Sequence, residues 1–166
     1  MVGATVESSP RPLVIRTRHT FAANAKVVWP LLCSSKMEHP NGLLFKLGVP
    51  QPLECRLPEG RGGVGSEREC VSNQGVVRQR ILIWEPEHRL SFRMETTNLR
   101  SARSITGIEE SFLLDPAAMG VVVTRSTTVH VGGRFRFFRK IGLAVGLKQV
   151  HRTVFRNWER LADGQG

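Results

Sequence analysis

The feature that most constrains the fold of this chain is an amphipathic pattern near its C-terminus. Apolar residues recur there at spacings of three and four and fall within an arc of roughly 80°, which predicts a helix from about 140 to 162. They are Leu143, Leu147, Val150, Val154, Trp158 and Leu161. The opposite side carries Lys148, Arg152, Arg156 and Arg160. At 1.5 Å per residue this helix is about 33 Å long, enough to lie across a whole sheet.

The chain before this helix consists of short strand patterns separated by turn signals. The first alternates from Leu13 to Phe21, and its predicted inner face holds Leu13, Ile15, Thr17, His19 and Phe21. Further strands are predicted at Leu53–Leu57, Gly65–Val71, Val76–Trp84, Arg89–Glu95, Ile108–Leu114 and Val121–Val131. The connections are too short for helical crossovers, so we expect a curved antiparallel sheet of about seven strands.

Two short helical segments are expected after the first strand. Asn24 is suited to cap a helix at Ala25–Leu32, and residues 34–52 contain enough Pro and Gly for a loop with at most one helical turn. The apolar side chains of that loop need burial, either as a lid over a cavity or by docking onto the core. The fold class is therefore α+β.

Length and composition limit the domain organisation. A chain of 166 residues with 40% hydrophobic residues suits one domain, predicted at 13–162 behind a flexible leader at 1–12. No stretch approaches the roughly 20 apolar residues of a membrane span, and the N-terminus lacks the apolar core of a signal peptide. Cys33, Cys55 and Cys70 are odd in number and widely spaced, so we expect reduced thiols in a cytoplasmic protein.

The net charge of +10 raises the question of anionic partners. The candidate anion contacts are Arg139, Lys140, Lys148, Arg152, Arg156 and Arg160. This face is either a solvated surface or a contact for an anionic membrane, an acidic protein or RNA. Phe135, Phe137 and Phe138 lie among cations, which suits a bilayer interface, although packing against the helix start also explains them. No nucleic-acid-binding motif accompanies these residues, which argues against nucleic acid as a partner.

Candidate catalytic residues are few. His19 and Glu110 are each predicted on an inner strand face, and a neutral His near a buried carboxylate could move a proton beside a carbonyl. The structural alternative is that His19 bonds a backbone carbonyl while Glu110 lies at the sheet rim, where an Arg could pair with it. If Glu110 points inward, it needs a partner or a function, because burying an unpaired carboxylate is costly.

Other constellations have plainer explanations. Glu67 and Glu69 share a strand face and suggest acid–base chemistry, but we favour cross-strand pairing with Arg78 and Arg80. The glycine-rich turn around Gly60 and Arg61 precedes a strand and not a helix, so it reads as a hairpin turn. The histidines are scattered without ligand spacing, so neither a metal nor a cofactor is predicted.

Several segments together resemble the START-related polyketide cyclase/dehydrase and lipid-transport superfamily, whose members have the helix-grip fold. The resemblance covers about residues 13–162. It rests on the order and spacing of the segments 21–29 (FAANAKVVW), 63–68 (GVGSER) with Gly75, 83–92 (IWEPEHRLSF) and 112–116 (FLLDP) with Gly120.

The resemblance implies a sheet wrapped around the long helix, with an elongated apolar cavity between them. Members of the superfamily bind lipids, quinones, sterols or plant hormones, or close and dehydrate polyketide rings. No shared catalytic motif exists to transfer, so catalysis stays uncertain. The predicted ligand-binding residues are Ile15, Thr17, His19, Phe21, Leu90, Phe92, Met94, Glu110, Phe112, Leu114, Leu143 and Leu147.

The sequence therefore favours a module that binds a small hydrophobic ligand, such as a lipid, quinone or polyketide-like compound. A cyclase or dehydratase acting in the same cavity is the second hypothesis. Peripheral binding to an anionic membrane through the basic C-terminal helix is the third. Large inward Phe and Met side chains leave open whether the space is a cavity or a solid core. Neither the ligand nor the oligomeric state follows from these patterns.

Overall fold

A computed structural model describes residues 11–38, 42–57 and 62–164 of the chain. The elements are β1 (Leu13–Phe21), α1 (Ala25–Cys33), β2 (Ser35–Lys36), α2 (Leu43–Lys46), β3 (Pro52–Arg56), β4 (Glu67–Ser72), β5 (Gly75–Glu85), β6 (Arg89–Thr97), β7 (Ile105–Pro116), β8 (Val121–Val131) and α3 (Arg136–Asp163). A short 3-10 turn at Arg100–Ala102 precedes β7. Residues 1–10 of the predicted leader lie outside the described residues. The same is true of His39, Gly60 and Arg61.

The strands form one antiparallel sheet in the order β1-β8-β7-β6-β5-β4-β3-β2. The sheet has eight strands where the sequence predicted about seven. The additional strand is β2, which pairs Ser35 and Lys36 with Cys55 and Glu54 of β3. Two residues are too few to produce an alternating pattern, so the periodicity of the sequence could not predict β2.

The strand β1 forms one edge of the sheet and pairs with β8. Leu13 lies opposite Val129 and Phe21 opposite Val121, so β1 is paired along its whole predicted length. The alternation predicted for this strand is confirmed. Ile15 and Phe21 are buried and the other inner-face residues partly buried, whereas every residue of the opposite face is exposed. The turn into β8 needs Gly120, whose φ is +89° and whose missing side chain leaves room for the Phe21 carbonyl.

The helix α1 forms as the sequence predicts, with Asn24 at its N-cap. The Asn24 side chain accepts a hydrogen bond of 3.3 Å from the Val27 amide. Val28 and Leu32 are fully buried on the inner side of the helix. Its backbone carbonyls at Leu32 and Cys33 accept hydrogen bonds from the buried Arg68.

The long helix α3 starts at Arg136, four residues earlier than predicted, and has 28 residues. It is therefore about 42 Å long at 1.5 Å per residue. The earlier start follows from the absence of Gly and Pro between 134 and 141, which leaves nothing to break the first turn. Of the predicted apolar stripe, Val154 and Trp158 are buried, whereas Leu143, Leu147 and Val150 are only partly buried.

The solid part of the core lies under the C-terminal half of α3. Aromatic rings fill the space there, with Phe155 and Trp158 of the helix meeting Phe21 and Phe112 of the sheet at centroid distances of 5.7–6.1 Å. Offset and edge-to-face contacts of this kind stabilise a core beyond the area they bury. The N-terminal half of the helix has no comparable partners.

Cys55 and Cys70 form a disulfide, so the prediction of three reduced thiols is wrong. The two residues are direct neighbours across β3 and β4, with Cα atoms 4.1 Å apart. Sequence spacing could not reveal this, because the pairing depends on strand register and not on a motif. Cys33 is a buried free thiol, and burial raises its pKa to about 11.

The acidic pair on β4 is structural, as predicted. Glu69 accepts hydrogen bonds from Arg78 at 3.1 Å and from Arg56 at 3.1 Å, while Glu67 pairs with Arg80 at 3.4 Å. All of these groups lie on the exposed side of the sheet. Surface pairs of this kind contribute little stability, because solvent screens them, and none has access to the interior.

Candidate functional site

A cavity of about 1000 Å³ lies between the sheet and the N-terminal half of α3. Its helix wall includes Leu143, Leu147 and Val150. Its other walls come from the segment after α2, from β3 to β8 and from the turn before β7. The volume is at the upper end of the range of small-molecule pockets, about 300–1000 Å³.

The cavity exists because the helix side chains over it are small or do not reach the sheet. Gly142 and Gly146 contribute no side chain, and the aromatic residues of α3 all lie further along or face outward. A curved sheet and one straight helix diverge toward one end, and only large side chains could close that gap. The core is consequently solid at one end and hollow at the other.

The structure places the predicted ligand-binding residues in both parts of the interior. Four of the twelve line the cavity: Met94, Glu110, Leu143 and Leu147. The other eight belong to the inner sheet face but lie away from the cavity: Ile15, Thr17, His19, Phe21, Leu90, Phe92, Phe112 and Leu114. Strand alternation identified the inner face, but it could not tell which part of that face the aromatic packing would fill.

The predicted pairing of His19 with Glu110 is not formed. His19 Nε2 lies 3.4 Å from Glu159 Oε1, an ion-pair distance without hydrogen-bond geometry, and its ring stacks on Phe155 at 5.4 Å. Glu110 instead faces inward, and the expectation that it lies at the sheet rim is wrong. Its partner is Arg125, at 2.6 Å.

A polar cluster of five side chains crosses the interior at the cavity wall: Thr17, Glu110, Arg125, Thr127 and His151. Glu110 Oε1 accepts hydrogen bonds from Arg125 Nη2 at 2.6 Å and from Thr127 Oγ1 at 2.8 Å. His151 lies 2.8 Å from Thr127 through Nε2 and 2.8 Å from Thr17 through Nδ1. Glu110, Arg125 and Thr127 line the cavity.

The geometry assigns a direction to these hydrogen bonds. Thr127 has one hydroxyl proton, which it donates to Glu110, so it must accept from His151 Nε2–H. His151 Nδ1 is then the acceptor for the Thr17 hydroxyl. A neutral imidazole with its proton on Nε2 fits this arrangement, and both threonines hold the ring in place.

The charges of the cluster are set by burial and by Arg125. Burial and, to a smaller extent, the positive charge of Arg125 together lower the pKa of His151 to about 3, so the ring is neutral at pH 7. Burial alone would raise the pKa of Glu110, but the positive charge of Arg125 and its hydrogen bond outweigh burial and hold that pKa below its usual range. Glu110 is therefore an ionised carboxylate.

A second buried cation lies beside this cluster. Arg68 is 3% exposed and donates to the carbonyls of Cys33 and Leu32 at 3.2 and 2.8 Å and to Gln79 Oε1 at 2.8 Å. Its guanidinium also stacks 4.6 Å from the Phe92 ring centre. Burial lowers its pKa to about 10, which leaves it protonated at pH 7.

Several polar atoms of the cavity wall remain without a partner among the described residues. Both hydrogen bonds to Glu110 reach Oε1, which leaves Oε2 unused. Arg125 uses only Nη2, and its Nε is buried without a partner. Gln79 accepts through Oε1 while its amide nitrogen donates to no described group. The wall therefore offers one anionic acceptor and several donors to a bound molecule.

Sequence reasoning missed Arg68, Gln79, Arg125, Thr127 and His151. A signal was present for Arg125, a charged residue on a face of β8 that otherwise holds four valines and Thr127. His151 likewise lies between Leu147 and Val154 on the inner side of α3. A charged or titratable residue on an apolar stripe indicates either a buried pair or a site.

The predicted anion contacts lie on the surface. Arg139, Lys148, Arg152 and Arg156 are exposed, and Arg139 also borders the cavity. The remaining two have intramolecular partners, since Lys140 donates to the Arg11 carbonyl and Arg160 to the Glu38 carbonyl. Across the described ranges, no helix is long and apolar enough to span a bilayer, and no group of three metal-binding side chains occurs.

A curled antiparallel sheet against a long C-terminal helix defines the helix-grip class, and solved structures share it. A protein from Nitrosomonas europaea superimposes with a TM-score of 0.63 at 20% identity, covering 92% of this chain and 96% of that one. Ara h 8.0201 gives 0.59 at 13% identity, with 91% and 97% covered. At these identities the structures show the fold alone.

One sequence relative adds to this. The abscisic acid receptor PYL2 of Arabidopsis thaliana is 33% identical over 116 residues, which is 66% of this chain and 57% of the receptor. The chain thus matches little more than half the length of that relative. No protein-family model matches the sequence. The solved structures show the helix-grip fold, and the match to PYL2 agrees with the resemblance of the motifs to the START-related superfamily.

Proposed function

We propose that this protein binds a small hydrophobic molecule with one polar end in the cavity beneath α3. The observation that carries the proposal is the combination of an apolar cavity of about 1000 Å³ with an incompletely paired polar cluster in its wall. Superfamily members bind small hydrophobic ligands, and the plant relative is named as a receptor for abscisic acid. Those names support a ligand-binding role without identifying the ligand.

The apolar walls would supply most of the affinity. Leu143, Leu147 and Val150 of α3 face Met94 and Ile108 of the sheet across the cavity. Removing apolar ligand surface from water contributes about 25 cal/mol per Å². These residues give little directional information, so orientation depends on the polar wall.

The polar wall favours a ligand that ends in oxygen. Arg125 Nη1 and the Gln79 amide are available donors, and Glu110 Oε2 is an available acceptor. A ligand carboxylate or carbonyl would satisfy the donors, and a ligand hydroxyl would satisfy the carboxylate. Any apolar group placed there would leave these buried atoms unpaired, which costs affinity.

The charge balance selects among these end groups. Arg68 and Arg125 carry two buried positive charges, against the single carboxylate of Glu110, while His151 is neutral. A buried charge is stable only when it is paired. A ligand carboxylate would complete the pairing, so we propose an acidic end group ahead of a neutral one.

A fluorescence displacement titration tests this proposal with matched ligands. A medium-chain fatty acid and the alcohol of the same chain length compete for the same probe. Charge-assisted hydrogen bonds predict that the acid binds on the order of 10- to 100-fold more tightly. Equal affinities would contradict the acidic end group, and no displacement by either would contradict the binding function.

Variants assign the preference to the polar wall. Arg125→Met should reduce the acid-over-alcohol preference to near unity while the alcohol still binds. Because this change leaves Glu110 unpaired, Gln79→Leu provides a milder second variant that keeps the ion pair. Arg93→Met on the outer side of β6 is the matched control and should leave both affinities unchanged.

Catalysis in the same cavity, as a polyketide cyclase or dehydratase, is the second candidate function. The observation that favours it is the ionised carboxylate of Glu110 at the cavity wall. Its pairing with Arg125 restricts it to accepting a proton, and makes it a weak base. Turnover of a polyketide-like carbonyl compound that Glu110→Gln abolishes, with ligand binding retained, would support this candidate.

A further inference from the structure

The solvent-facing side of α3 is one continuous stripe of exposed residues, which we call the outer stripe. Its members recur at spacings of four and three, so at about 100° per residue they share one side of the helix. In chain order they are Phe137, Ile141, Val145, Lys148, Arg152 and Arg156. The stripe is therefore apolar over its first half and basic over its second.

The apolar half is exposed to an extent that needs an explanation. Phe137 is 67% exposed, and Ile141 and Val145 are each 51% exposed. Phe138, at 72%, lies beside them with its ring 5.6 Å from that of Phe137. Leu47, at the end of α2, is also 71% exposed. Contiguous apolar surface of this kind marks a contact with a partner or a membrane.

The basic half has no counter-charge within the protein. From Gly132 to Trp158 the sequence contains seven Lys or Arg residues and no Asp or Glu. Lys148, Arg152 and Arg156 form no ion pair with any residue that the structure describes. The surface that complements this helix must therefore be both apolar and anionic.

Residues of α3 that neighbour the apolar half in the sequence belong to the cavity wall. Leu47, Arg139 and Leu143 line the cavity, and Leu47 and Arg139 are exposed. A side chain at Gly146 would lie 3.5 Å from a Val49 methyl, so the segment after α2 passes directly beside α3.

We propose that the outer stripe of α3 docks this protein onto an anionic bilayer. The apolar half would sit among the acyl chains near the headgroups, and the basic half would contact lipid phosphates and carboxylates. An anionic bilayer is apolar and negatively charged over one plane, which matches both halves of the stripe. RNA would leave the aliphatic Ile141 and Val145 exposed, and a folded protein would need an acidic rim around an apolar patch.

Vesicle flotation of the full chain tests the proposal. Vesicles of phosphatidylcholine alone are compared with vesicles that also contain phosphatidylserine, at low and at high salt. We expect binding only with phosphatidylserine and weaker binding at high salt, because lipid charge is screened. Binding that ignores phosphatidylserine, or no binding to either vesicle, would overturn the proposal.

Two variants separate the halves of the stripe. Lys148→Gln/Arg152→Gln/Arg156→Gln should lower partitioning by on the order of 100-fold, from the loss of three cations near the surface. Phe137→Ser/Ile141→Ser should lower it about tenfold or more through lost apolar insertion. The side chains are exposed, so thermal unfolding should show both variants to be folded.

Matched controls have the same chemistry elsewhere on the surface. Arg16→Gln/Arg18→Gln/Arg89→Gln removes three exposed cations from the strands, and Val14→Ser/Met119→Ser removes two exposed apolar residues. Both controls should bind vesicles like the unaltered protein. If controls and stripe variants lost vesicle binding equally, the position of the substituted residues would not matter. That result would refute docking through α3.

The docking surface and the cavity are tested independently. Stripe variants should still bind a fluorescent fatty-acid probe in solution, because none of the substituted residues lines the cavity. Vesicle binding without probe binding would refute the proposed ligand and retain the docking surface. Probe binding without vesicle binding would refute the docking surface and retain the proposed ligand. Preferential capture of RNA or of an acidic protein over anionic vesicles would also refute the membrane as the partner.

Discussion

Glu110 and Arg125 meet inside the sheet because of strand register. Arg125 lies opposite Phe112 and Thr127 opposite Glu110, so the two charged side chains are diagonal neighbours on the inner face of β7 and β8. Neither residue could be buried without the other. The pair is costly to form and more costly to break, because removal of one partner leaves an uncompensated buried charge.

Replacement of this carboxylate should therefore destabilise the fold. Glu110→Gln keeps the shape of the side chain and leaves Arg125 without a counter-charge, so we expect the free energy of unfolding to fall by about 3–5 kcal/mol. Urea denaturation measures the change. Glu109→Gln, one residue away on the exposed face, is the control and should change stability by less than about 0.5 kcal/mol. Similar effects of the two substitutions would contradict the buried pair.

His151 should make stability depend on pH below neutrality. Its pKa is about 3 in the folded protein, against roughly 6.5 when unfolded. Below pH 6.5 the unfolded chain therefore binds a proton that the folded protein refuses. The free energy of unfolding should fall by up to about 1.4 kcal/mol per pH unit from pH 6.5 toward pH 3, with no further loss from this group below that.

The window from pH 6.5 to pH 5 isolates this histidine from the carboxylates, which titrate lower. Denaturation at several pH values in that window should give a clear slope for the unaltered protein and a shallower slope for His151→Gln. The comparison of slopes holds even where the variant is less stable at every pH. Parallel slopes would show that His151 is not the titrating group.

The two halves of the helix α3 have different surroundings. The C-terminal half closes the core through Phe155 and Trp158, and the N-terminal half roofs the cavity with Leu143 and Leu147. The apolar repeat is the same along both halves. The sequence could therefore place the helix and its inner side, but not the point where packing gives way to a cavity.

This division predicts unequal effects of truncation along one helix face. Trp158→Ala should cost about 3–5 kcal/mol, because it removes a ring from the packed core. Leu143→Ala should cost less than about 1 kcal/mol, since its side chain already borders empty space. Thermal and chemical denaturation of the two variants measure the difference. Comparable losses would mean that the N-terminal half is packed as tightly as the C-terminal half.

The disulfide between β3 and β4 makes a separate prediction. Thiol titration of the unfolded, unreduced protein should find one reactive cysteine, Cys33. Reduction should lower stability by about 3 kcal/mol, the effect expected for a loop of this length. The Cys55→Ser/Cys70→Ser variant should already have the lower stability and should not respond to reductant. Three reactive thiols would contradict the disulfide.

Across the whole molecule, sequence patterns predicted much of the fold and little of the site. Alternation and amphipathicity report which side of an element is apolar, and β1, α1 and the apolar side of α3 follow from them. The site depends on long-range register, which brings Thr17, Arg125 and His151 together from three distant segments. The Cys55–Cys70 bond escaped detection for the same reason.

The positive charges of the molecule fall into two groups, one on the surface and one in the interior. Most of the cations that make up the net charge of +10 are on the surface, where we assign the outer stripe of α3 to a bilayer. Arg68 and Arg125 are the buried exceptions. We expect these two arginines to interact with a ligand and not with a membrane, because they lie at or beside the cavity wall.

The central claim is that the cavity beneath α3 holds one apolar molecule, and native mass spectrometry tests it most directly. After incubation with a fatty acid, the unaltered protein should carry one ligand per chain. Met94→Trp, which fills the cavity, should carry little, whereas Leu113→Trp on the outer sheet face should bind normally. An unaltered protein that stays empty, or three proteins with equal occupancy, would contradict the claim.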